Sequence, residues 1–159
     1  MRSSKHLPYF TQSTSHRLGD FVHQRNRPIC LIVISEHCGH CQAMKPSLQE
    51  LSHRLSRISS SSKRPSAAVV DSAAINASGI SALRNVTSVP SVMIVSHKSG
   101  KSIKDYQGDR SASDLYSFIK RGTSKPQSKS KRRHNKPKTK KSKTKKSSRS
   151  TRNKTSRKL

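Results

Sequence analysis

Residues 29–34 form an unbroken run of apolar side chains, ICLIVI, most of which are β-branched. A run of this length and composition is typical of a central strand that is buried on both faces. Apolar residues then recur at helical spacing, at Met44, Leu48, Leu51 and Leu55, and they predict a helix with one face in the core. Pro46 lies inside that helix and is expected to kink it.

Between the predicted strand and helix lies the sequence Cys38-Gly39-His40-Cys41. Two cysteines separated by two residues on the first turn of a helix are close enough to form a disulfide. The free N–H groups and partial positive charge of the helix N-terminus favour the thiolate at Cys38. We therefore expect Cys38 to be a nucleophile stabilised by His40, and Cys41 to be a more buried resolving thiol.

These residues resemble the active site of the thioredoxin superfamily, and the motif matches that of protein disulfide isomerase domains. Pro46 matches the helix-kinking proline of the family, and residues 88–95, SVPSVMIV, resemble its cis-proline segment. The resemblance covers roughly residues 8–121 and includes the last hairpin and closing helix. It implies a thioredoxin-like α/β fold with a mixed central sheet flanked by helices, and thiol–disulfide oxidoreductase activity on protein substrates.

The same resemblance assigns a role to the Val89-Pro90 bond, which it implies is cis. In the family, the residue before this proline pairs with the substrate chain across from the dithiol, which would assign substrate binding to Val89 and Pro90. The alternative is a proline that only begins a strand.

The chain departs from the family pattern near the second thiol. Family members often carry a buried carboxylate six residues before the first cysteine, whereas this chain has Ile32 there. His37 replaces the usual aromatic residue, and Glu36 is the only carboxylate near the motif in sequence. Two roles are open for Glu36, which either accepts the proton through water or has no part in the reaction. The departures from the family pattern bear more on the speed of turnover than on redox competence.

The remaining pattern completes the predicted fold. We expect a first strand at residues 9–10, a helix at 15–24, a strand at 67–70 capped by Asp71, a helix at 78–84, a hairpin of strands 92–95 and 103–106, and a closing helix that begins at Ser111 and stops at Gly122. A serine-rich loop is expected at 59–66. Residues 1–122 would thus form one domain.

Residues 123–159 differ sharply in composition, with 17 of the 34 Lys and Arg and none of the seven acidic residues. The single apolar residue in this stretch is Leu159, so we predict a disordered tail. Its charge favours binding to nucleic acid or another polyanion, and its lack of aromatic residues argues against reading of single strands. The alternative is a solubilising or nuclear-targeting tail, since Lys131-Arg132-Arg133 and Lys140-Lys141 resemble localisation signals.

Metal binding is a second possible use of the cysteines, because His37, His40 and His53 lie nearby in sequence. Structural zinc sites normally take two ligand pairs, and no second Cys or His pair at suitable spacing occurs. We therefore expect no metal and no cofactor. Cys30, the third cysteine, is expected to pack as a small apolar residue, with a regulatory or intermolecular thiol as the alternative.

Residues 1–28 lack the apolar core of a secretory signal, and no stretch is long enough to span a membrane. We expect a non-secreted monomer in the cytoplasm or nucleus. Packaging in the virion of a large DNA virus would reconcile an oxidising dithiol with a basic tail. The rival function is a binding protein with the same fold and an idle dithiol.

Overall fold

Five strands form one mixed sheet in the computed structural model, which describes residues 7–59 and 65–124. The strands are β1 (Tyr9–Phe10), β2 (Ile29–Ile34), β3 (Ala67–Asp71), β4 (Ser91–Val95) and β5 (Ser102–Asp105). Their order in the sheet is β1-β3-β2-β4-β5. The first three are mutually parallel, and β4 and β5 run antiparallel to their neighbours. This is the predicted thioredoxin-like fold.

Three α-helices cover the two faces of the sheet: α1 (His16–His23), α2 (Gly39–Ser56) and α3 (Ala112–Thr123). Short 3₁₀ turns occur at Gln12–Thr14, Ser72–Ala74 and Leu83–Asn85. No helix in the described segments is long and apolar enough to cross a membrane.

The central strand β2 is buried throughout, as its apolar run predicts. Because successive side chains of a strand point to opposite faces, Cys30, Ile32 and Ile34 pack with α2 and α3. Ile29, Leu31 and Val33 belong to the second core layer, with α1. The strand thereby ends with its last residue, Ile34, buried in the cluster against which Cys38 packs.

The predicted helix at residues 78–84 is wrong. The structure has turns there, followed by the 3₁₀ turn Leu83–Asn85. Gly79 adopts a positive φ of 69°, and the Ser78 hydroxyl accepts a hydrogen bond from the backbone of Ile80 at 3.3 Å. Such local side-chain bonds compete with helix formation; the inward-facing positions Ile80 and Leu83 are nevertheless buried as expected.

The prediction that Gly122 ends the last helix is also wrong, because Gly122 lies within α3. A Cβ at this position would lie 2.5 Å from Cγ1 of Ile94 on β4. The glycine therefore allows close contact between α3 and β4. In the sequence, a glycine that is needed for such contact looks the same as a glycine that ends a helix. The helix begins after Ser111, as predicted, and the Ser111 side chain accepts a hydrogen bond from the backbone N–H of Asp114 at 3.3 Å.

We expect Gly122→Ala to lower the free energy of unfolding by about 1–2 kcal/mol, because overpacking outweighs the gain in helix propensity. Gly19→Ala in α1 is the matched control, since the added Cβ would lie 3.7 Å from the carbonyl oxygen of Ser78, an ordinary van der Waals contact. That variant should be neutral or slightly stabilised. Denaturant unfolding of both would check the pair, and equal effects would contradict the packing role of Gly122.

Two sequence predictions fall largely outside the described residues. The serine-rich loop was predicted at 59–66, and residues 60–64 of it are not described. The basic tail was predicted at 123–159, and everything beyond Ser124 is not described.

Candidate active site at the dithiol

Cys38 is the N-cap residue of α2, at the point where the chain leaves β2 and turns into the helix. Its backbone is extended, with φ −95° and ψ 116°, and its carbonyl accepts the first helical hydrogen bond from Gln42 at 3.0 Å. The Cys38 sulfur accepts a hydrogen bond from the backbone N–H of Cys41 at 3.3 Å. A thiol thus occupies the capping position where a hydroxyl or carboxylate is common.

The two thiols differ in exposure, and both are reduced in this structure. The side chain of Cys38 is partly exposed, whereas Cys41 is 1% exposed. The Cys41 sulfur also accepts a hydrogen bond from the backbone N–H of Ser35 at 3.5 Å. Only Cys38 is therefore accessible to an attacking or attacked substrate.

The electrostatics separate the two sulfurs further. The pKa of Cys38 is lowered, first by a hydrogen bond from the Cys41 side chain and then by the backbone N–H of Cys41. The pKa of Cys41 is raised, first by its burial and then by the hydrogen bond to Cys38. These directions are those required of an accessible thiolate and a protonated partner beneath it.

The loop before β4 faces this dithiol. The Cys38 thiol donates to the carbonyl oxygen of Val89 at 3.5 Å, and the Val89-Pro90 bond is cis. The Ser91 hydroxyl donates to the carbonyl of Ser88 at 2.7 Å across the same turn. The cis bond that the family resemblance implies is thus confirmed, and the structure brings Cys38 and Val89 together.

The other residues of the motif and the two residues before it are exposed around the cysteines. Gly39 and His40 are exposed on the first turn of α2, and His40 lowers the pKa of Cys38 through its backbone N–H. Glu36 and His37 are exposed, and the carbonyl of Glu36 accepts from the Gln42 side chain. The role expected of the His40 imidazole is therefore supplied in part by the backbone.

Ile32 is fully buried in the same core layer as Cys41. No carboxylate is among the described groups that shift the pKa of Cys41. An apolar side chain therefore occupies the buried position at which many family members carry a carboxylate.

Arg110 is a site residue that the sequence analysis missed. Its positive charge lowers the pKa of both Cys38 and Cys41. Arg110 has a positive φ of 63° and donates its backbone N–H to the hydroxyl of Tyr106 at 2.9 Å. The only signal in the sequence is a cation just before the cap of the last helix, and nothing local connects it with cysteines so distant in the chain.

Tyr106 and Asp114 position the loop that carries Arg110. The Tyr106 hydroxyl donates to Asp114 at 2.6 Å, and burial followed by this hydrogen bond raises the pKa of Tyr106 to about 12. The phenol therefore stays protonated and can donate to the carboxylate while accepting from Arg110. Next to this loop, a polar cleft of about 430 Å³ is lined by Thr87, Ser88, Pro90, Ser91, Gln107 and Arg110 among others.

We expect Arg110→Gln to raise the pKa of Cys38 and to slow its alkylation at pH 7 by about two- to fivefold, the effect of one exposed charge. Iodoacetamide labelling across pH with mass detection would measure this. Arg57→Gln, at the far end of α2, is the control of equal charge. Equal rates for both variants would contradict an electrostatic role for Arg110.

The third cysteine is part of the core. Cys30 is fully buried in the core of β2, and burial raises the pKa of its thiol. Within residues 7–59 and 65–124, no group of three or more His, Cys, Asp or Glu side chains is arranged to hold a metal ion.

The chain resembles a known protein family and several solved structures. The model of the thioredoxin family matches residues 10–121. The first thioredoxin domain of mouse protein disulfide-isomerase A4 is 18% identical, with 76% of this chain and 77% of that chain covered and a TM-score of 0.53. A mutant thioredoxin from Halobacterium salinarum NRC-1 is 18% identical, with coverage of 78% and 96% and a TM-score of 0.51.

The J-Trx1 fragment of ERdj5 is 20% identical, with 71% of this chain covered and a TM-score of 0.51. The alignment spans 50% of that fragment, so this chain corresponds to half of its length. Comparison with curated protein sequences gives no match. At these identities the solved structures are evidence for the fold alone.

Proposed function

Because the chain belongs to the thioredoxin family, we propose that it is a thiol–disulfide oxidoreductase that acts on protein substrates through Cys38 and Cys41. The observation that carries the proposal is the pair of unequal sulfurs. Cys38 is accessible and receives the N–H of Cys41 at 3.3 Å, while Cys41 is 1% exposed. Family membership and the dithiol support oxidoreductase chemistry in general, and the protein substrates and the direction of the reaction are part of the proposal.

In the reduced enzyme, the Cys38 thiolate attacks one sulfur of a substrate disulfide. The substrate S–S bond breaks, a Cys38–substrate disulfide forms, and the first substrate sulfur leaves as a thiolate. Cys41 then loses its proton and attacks the Cys38 sulfur, releasing the second substrate thiolate. The substrate gains two electrons and the enzyme becomes the Cys38–Cys41 disulfide; the reverse sequence oxidises a substrate dithiol.

Substrate binding is proposed for Val89 and Pro90. In the structure the Val89 carbonyl accepts from the Cys38 thiol at 3.5 Å, and attack by Cys38 would require the thiol to release it. An extended substrate chain could then hydrogen bond to the backbone at Val89, beside the polar cleft at Ser88 and Ser91. Residues next to the substrate cysteine would enter that cleft.

The proposed direction is oxidation or isomerisation. Groups that lower the pKa of Cys38 stabilise the reduced enzyme and make its disulfide a better oxidant. In this chain they are the Cys41 hydrogen bonds, the His40 N–H and Arg110. The name of the mouse isomerase domain, and the resemblance of Cys38-Gly39-His40-Cys41 to the motif of protein disulfide isomerase domains, are consistent with this direction.

Equilibration with graded ratios of reduced and oxidised glutathione tests the proposal. We expect a Cys38–Cys41 disulfide with a midpoint near about −180 mV, as for protein disulfide isomerase, in place of about −270 mV as for thioredoxin. Acid quenching, alkylation and mass measurement give the oxidised fraction. A midpoint near the lower value would reverse the proposed direction, and the absence of this disulfide at every ratio would refute the enzyme.

Residues 123–159 are proposed to bind nucleic acid through phosphate contacts, because they combine 17 positive charges with no acidic residue. A cytoplasmic or nuclear location, or packaging with a viral genome, follows from this proposal. Recovery of the protein outside any nucleic-acid or virion fraction at physiological salt would contradict it.

A binding protein with an idle dithiol is the second candidate, and the observation that favours it is Ile32. This buried side chain leaves Cys41 without an adjacent carboxylate to accept its proton. Measurements of disulfide turnover and nucleic-acid binding distinguish the two candidates. An idle dithiol predicts no disulfide turnover by the natural chain and unchanged nucleic-acid binding by Cys38→Ser.

A further inference from the structure

Two charged side chains line the polar cleft beside the dithiol in the described part of the chain: Asp105 of β5, and Arg110 of the loop between β5 and α3. The Asp105 carboxylate accepts a hydrogen bond from the hydroxyl of Ser102 on the same strand at 2.9 Å. Arg110 lines the cleft together with Pro90, for which substrate binding is proposed. A substrate chain in this cleft therefore meets one acid and one cation.

The two charges act differently on the reacting sulfur. The pKa of Cys38 is lowered mainly by hydrogen bonds from Cys41 and, in smaller part, by the charge of Arg110. Among the described groups that shift this pKa, Arg110 is the only charged side chain. A substrate residue next to the attacked sulfur is therefore close to the positive charge and not to Asp105.

The carboxylates next to Arg110 in its loop are bonded to other groups. Asp109 accepts from the backbone N–H of Ser111 at 2.9 Å, and Asp114 accepts from the hydroxyl of Tyr106 at 2.6 Å. Within residues 7–59 and 65–124, the only salt bridge is that between Arg54 and Glu50. The guanidinium of Arg110 is therefore available to a carboxylate from outside the chain.

The acids Glu36 and Asp71 lie on the other side of the dithiol. The pKa of Tyr9 on β1 is raised to about 12, first by burial, then by its hydrogen bond to Asp71, and in smaller part by the charge of Glu36. In the sheet, β1 and β3 lie on one side of β2, and β4 and β5 lie on the other. These two carboxylates are thus separated by β2 from the loop that carries Arg110.

The loop holds Arg110 in a defined place. Its backbone has a positive φ of 63°, which costs free energy in a residue other than glycine unless neighbouring groups hold it. Its N–H donates to the hydroxyl of Tyr106 at 2.9 Å, and the Tyr106 ring packs against Phe118 with centroids 5.0 Å apart. A Cβ on Gly108 would collide with the Tyr106 hydroxyl and the Asp114 carboxylate, so the loop is closely packed.

We propose that Arg110 selects protein disulfides that carry an Asp or Glu side chain within two residues of the cysteine that Cys38 attacks. This inference rests on the proposed oxidoreductase function and names its substrate class. An extended chain advances about 3.3 Å per residue, so such a side chain reaches the cation while its cysteine lies at Cys38. The planar guanidinium matches a carboxylate through two parallel hydrogen bonds.

Trapping of disulfide peptides by the full-length Cys41→Ser variant tests the substrate class. Three disulfide-linked peptide dimers carry Glu, Gln or Lys on both sides of the cysteine and are otherwise identical. Mass spectrometry follows formation of the Cys38–peptide disulfide, and each rate is divided by the rate of the same peptide with a small neutral thiol. We expect the order Glu, Gln, Lys, with a Glu-to-Lys ratio about fivefold higher than in a variant without the cation.

Three substitutions in the same background provide the comparison. Arg110→Gln should lose the preference, whereas Arg110→Lys keeps the charge and should retain most of it. Arg57→Gln, at the far end of α2, lowers the net charge equally and should leave the preference unchanged. Equal Glu-to-Lys ratios for Arg110→Gln and Arg57→Gln would overturn the inference.

The peptide rates also separate this inference from the proposed function. Absence of a mixed disulfide with all three peptides would refute the proposed function, because attack by Cys38 is its first step. Mixed disulfides formed at rates that do not depend on peptide charge, or fastest with Lys, would refute selection by Arg110 and leave the oxidoreductase standing.

Alkylation of the natural full-length chain measures the attraction of anions without a substrate. The rate of Cys38 modification by anionic iodoacetate is divided by the rate with neutral iodoacetamide at the same pH, so that a change in the thiolate fraction cancels. We expect this ratio to fall about two- to threefold in Arg110→Gln and to stay unchanged in Arg57→Gln. A ratio that is the same in all three proteins would show that Arg110 attracts no anion to the sulfur and would refute the inference.

Discussion

Cys41→Ser is expected to convert the protein into a trap that holds its substrates through Cys38. The first attack needs only the exposed Cys38 thiolate, whose sulfur still receives the backbone N–H of residue 41. Resolution needs the second thiol, so the mixed disulfide accumulates and multiple-turnover disulfide exchange falls by at least about two orders of magnitude. Non-reducing gels and mass spectrometry of trapped complexes would measure both effects.

Cys38→Ser and Cys30→Ser are the controls for this trap. Cys38→Ser should form no mixed disulfide and lose turnover to the same extent. Cys30→Ser removes a thiol that is fully buried, so turnover should stay near that of the natural chain. Trapping through Cys41 in the Cys38→Ser variant would reverse the assigned roles, and a turnover loss with Cys30→Ser alone would show that the third thiol takes part.

The sequence predicted the elements whose patterns are local. The bounds of β1 and β2 match the prediction to the residue, and the buried face of α2 contains the four predicted apolar positions. Six consecutive apolar residues have few alternatives to a buried strand. The dithiol follows directly, because Cys38 lies where that strand must turn into a helix.

Features set by distant contacts were not predictable in the same way. Gly122 is needed because of Ile94 on another element. The Ser78 turn is a local feature by contrast: it replaces a helix through side-chain bonds to the backbone of Ile75 and Ile80, which hydrophobic spacing alone does not predict. Arg110 reaches the dithiol only because β5 and α3 bring their connecting loop to the end of β2. The cis bond before Pro90 came from the family resemblance, since proline alone favours trans.

The buried position of Ile32 suggests why a carboxylate is absent. Ile32 lies in the core layer of Cys41, Leu51 and Ile94, each almost fully buried. An acid here would lose its hydration without a charged partner, and such burial is expensive. The chain has kept an apolar strand at this position, and the proton of Cys41 must leave by another route, with Glu36 through water as the remaining carboxylate in sequence.

Ile32→Asp is therefore expected to lower the free energy of unfolding at pH 7 by about 4 kcal/mol, a large part of the stability of a small domain. Burial raises the pKa of the new carboxyl in the folded state above its unfolded value of about 3.9. At pH values below the unfolded value both states are protonated, so charge adds no cost. The penalty grows as the pH rises and levels off above the folded pKa.

Ile32→Asn and Ile32→Val separate the causes of this loss. Asn has nearly the shape of Asp and does not titrate, so the difference in Tm between the Asp and Asn variants should be small near pH 4 and widen towards pH 7. Val removes one methylene and should cost about 1 kcal/mol at any pH. A difference between Asp and Asn that does not change with pH would mean that the carboxyl is hydrated or paired in the fold.

The folded Ile32→Asp variant also tests proton transfer. Faster resolution of the mixed disulfide by Cys41 would identify position 32 as the missing proton acceptor, while an unchanged rate would mean that the natural chain already has an adequate route for the proton.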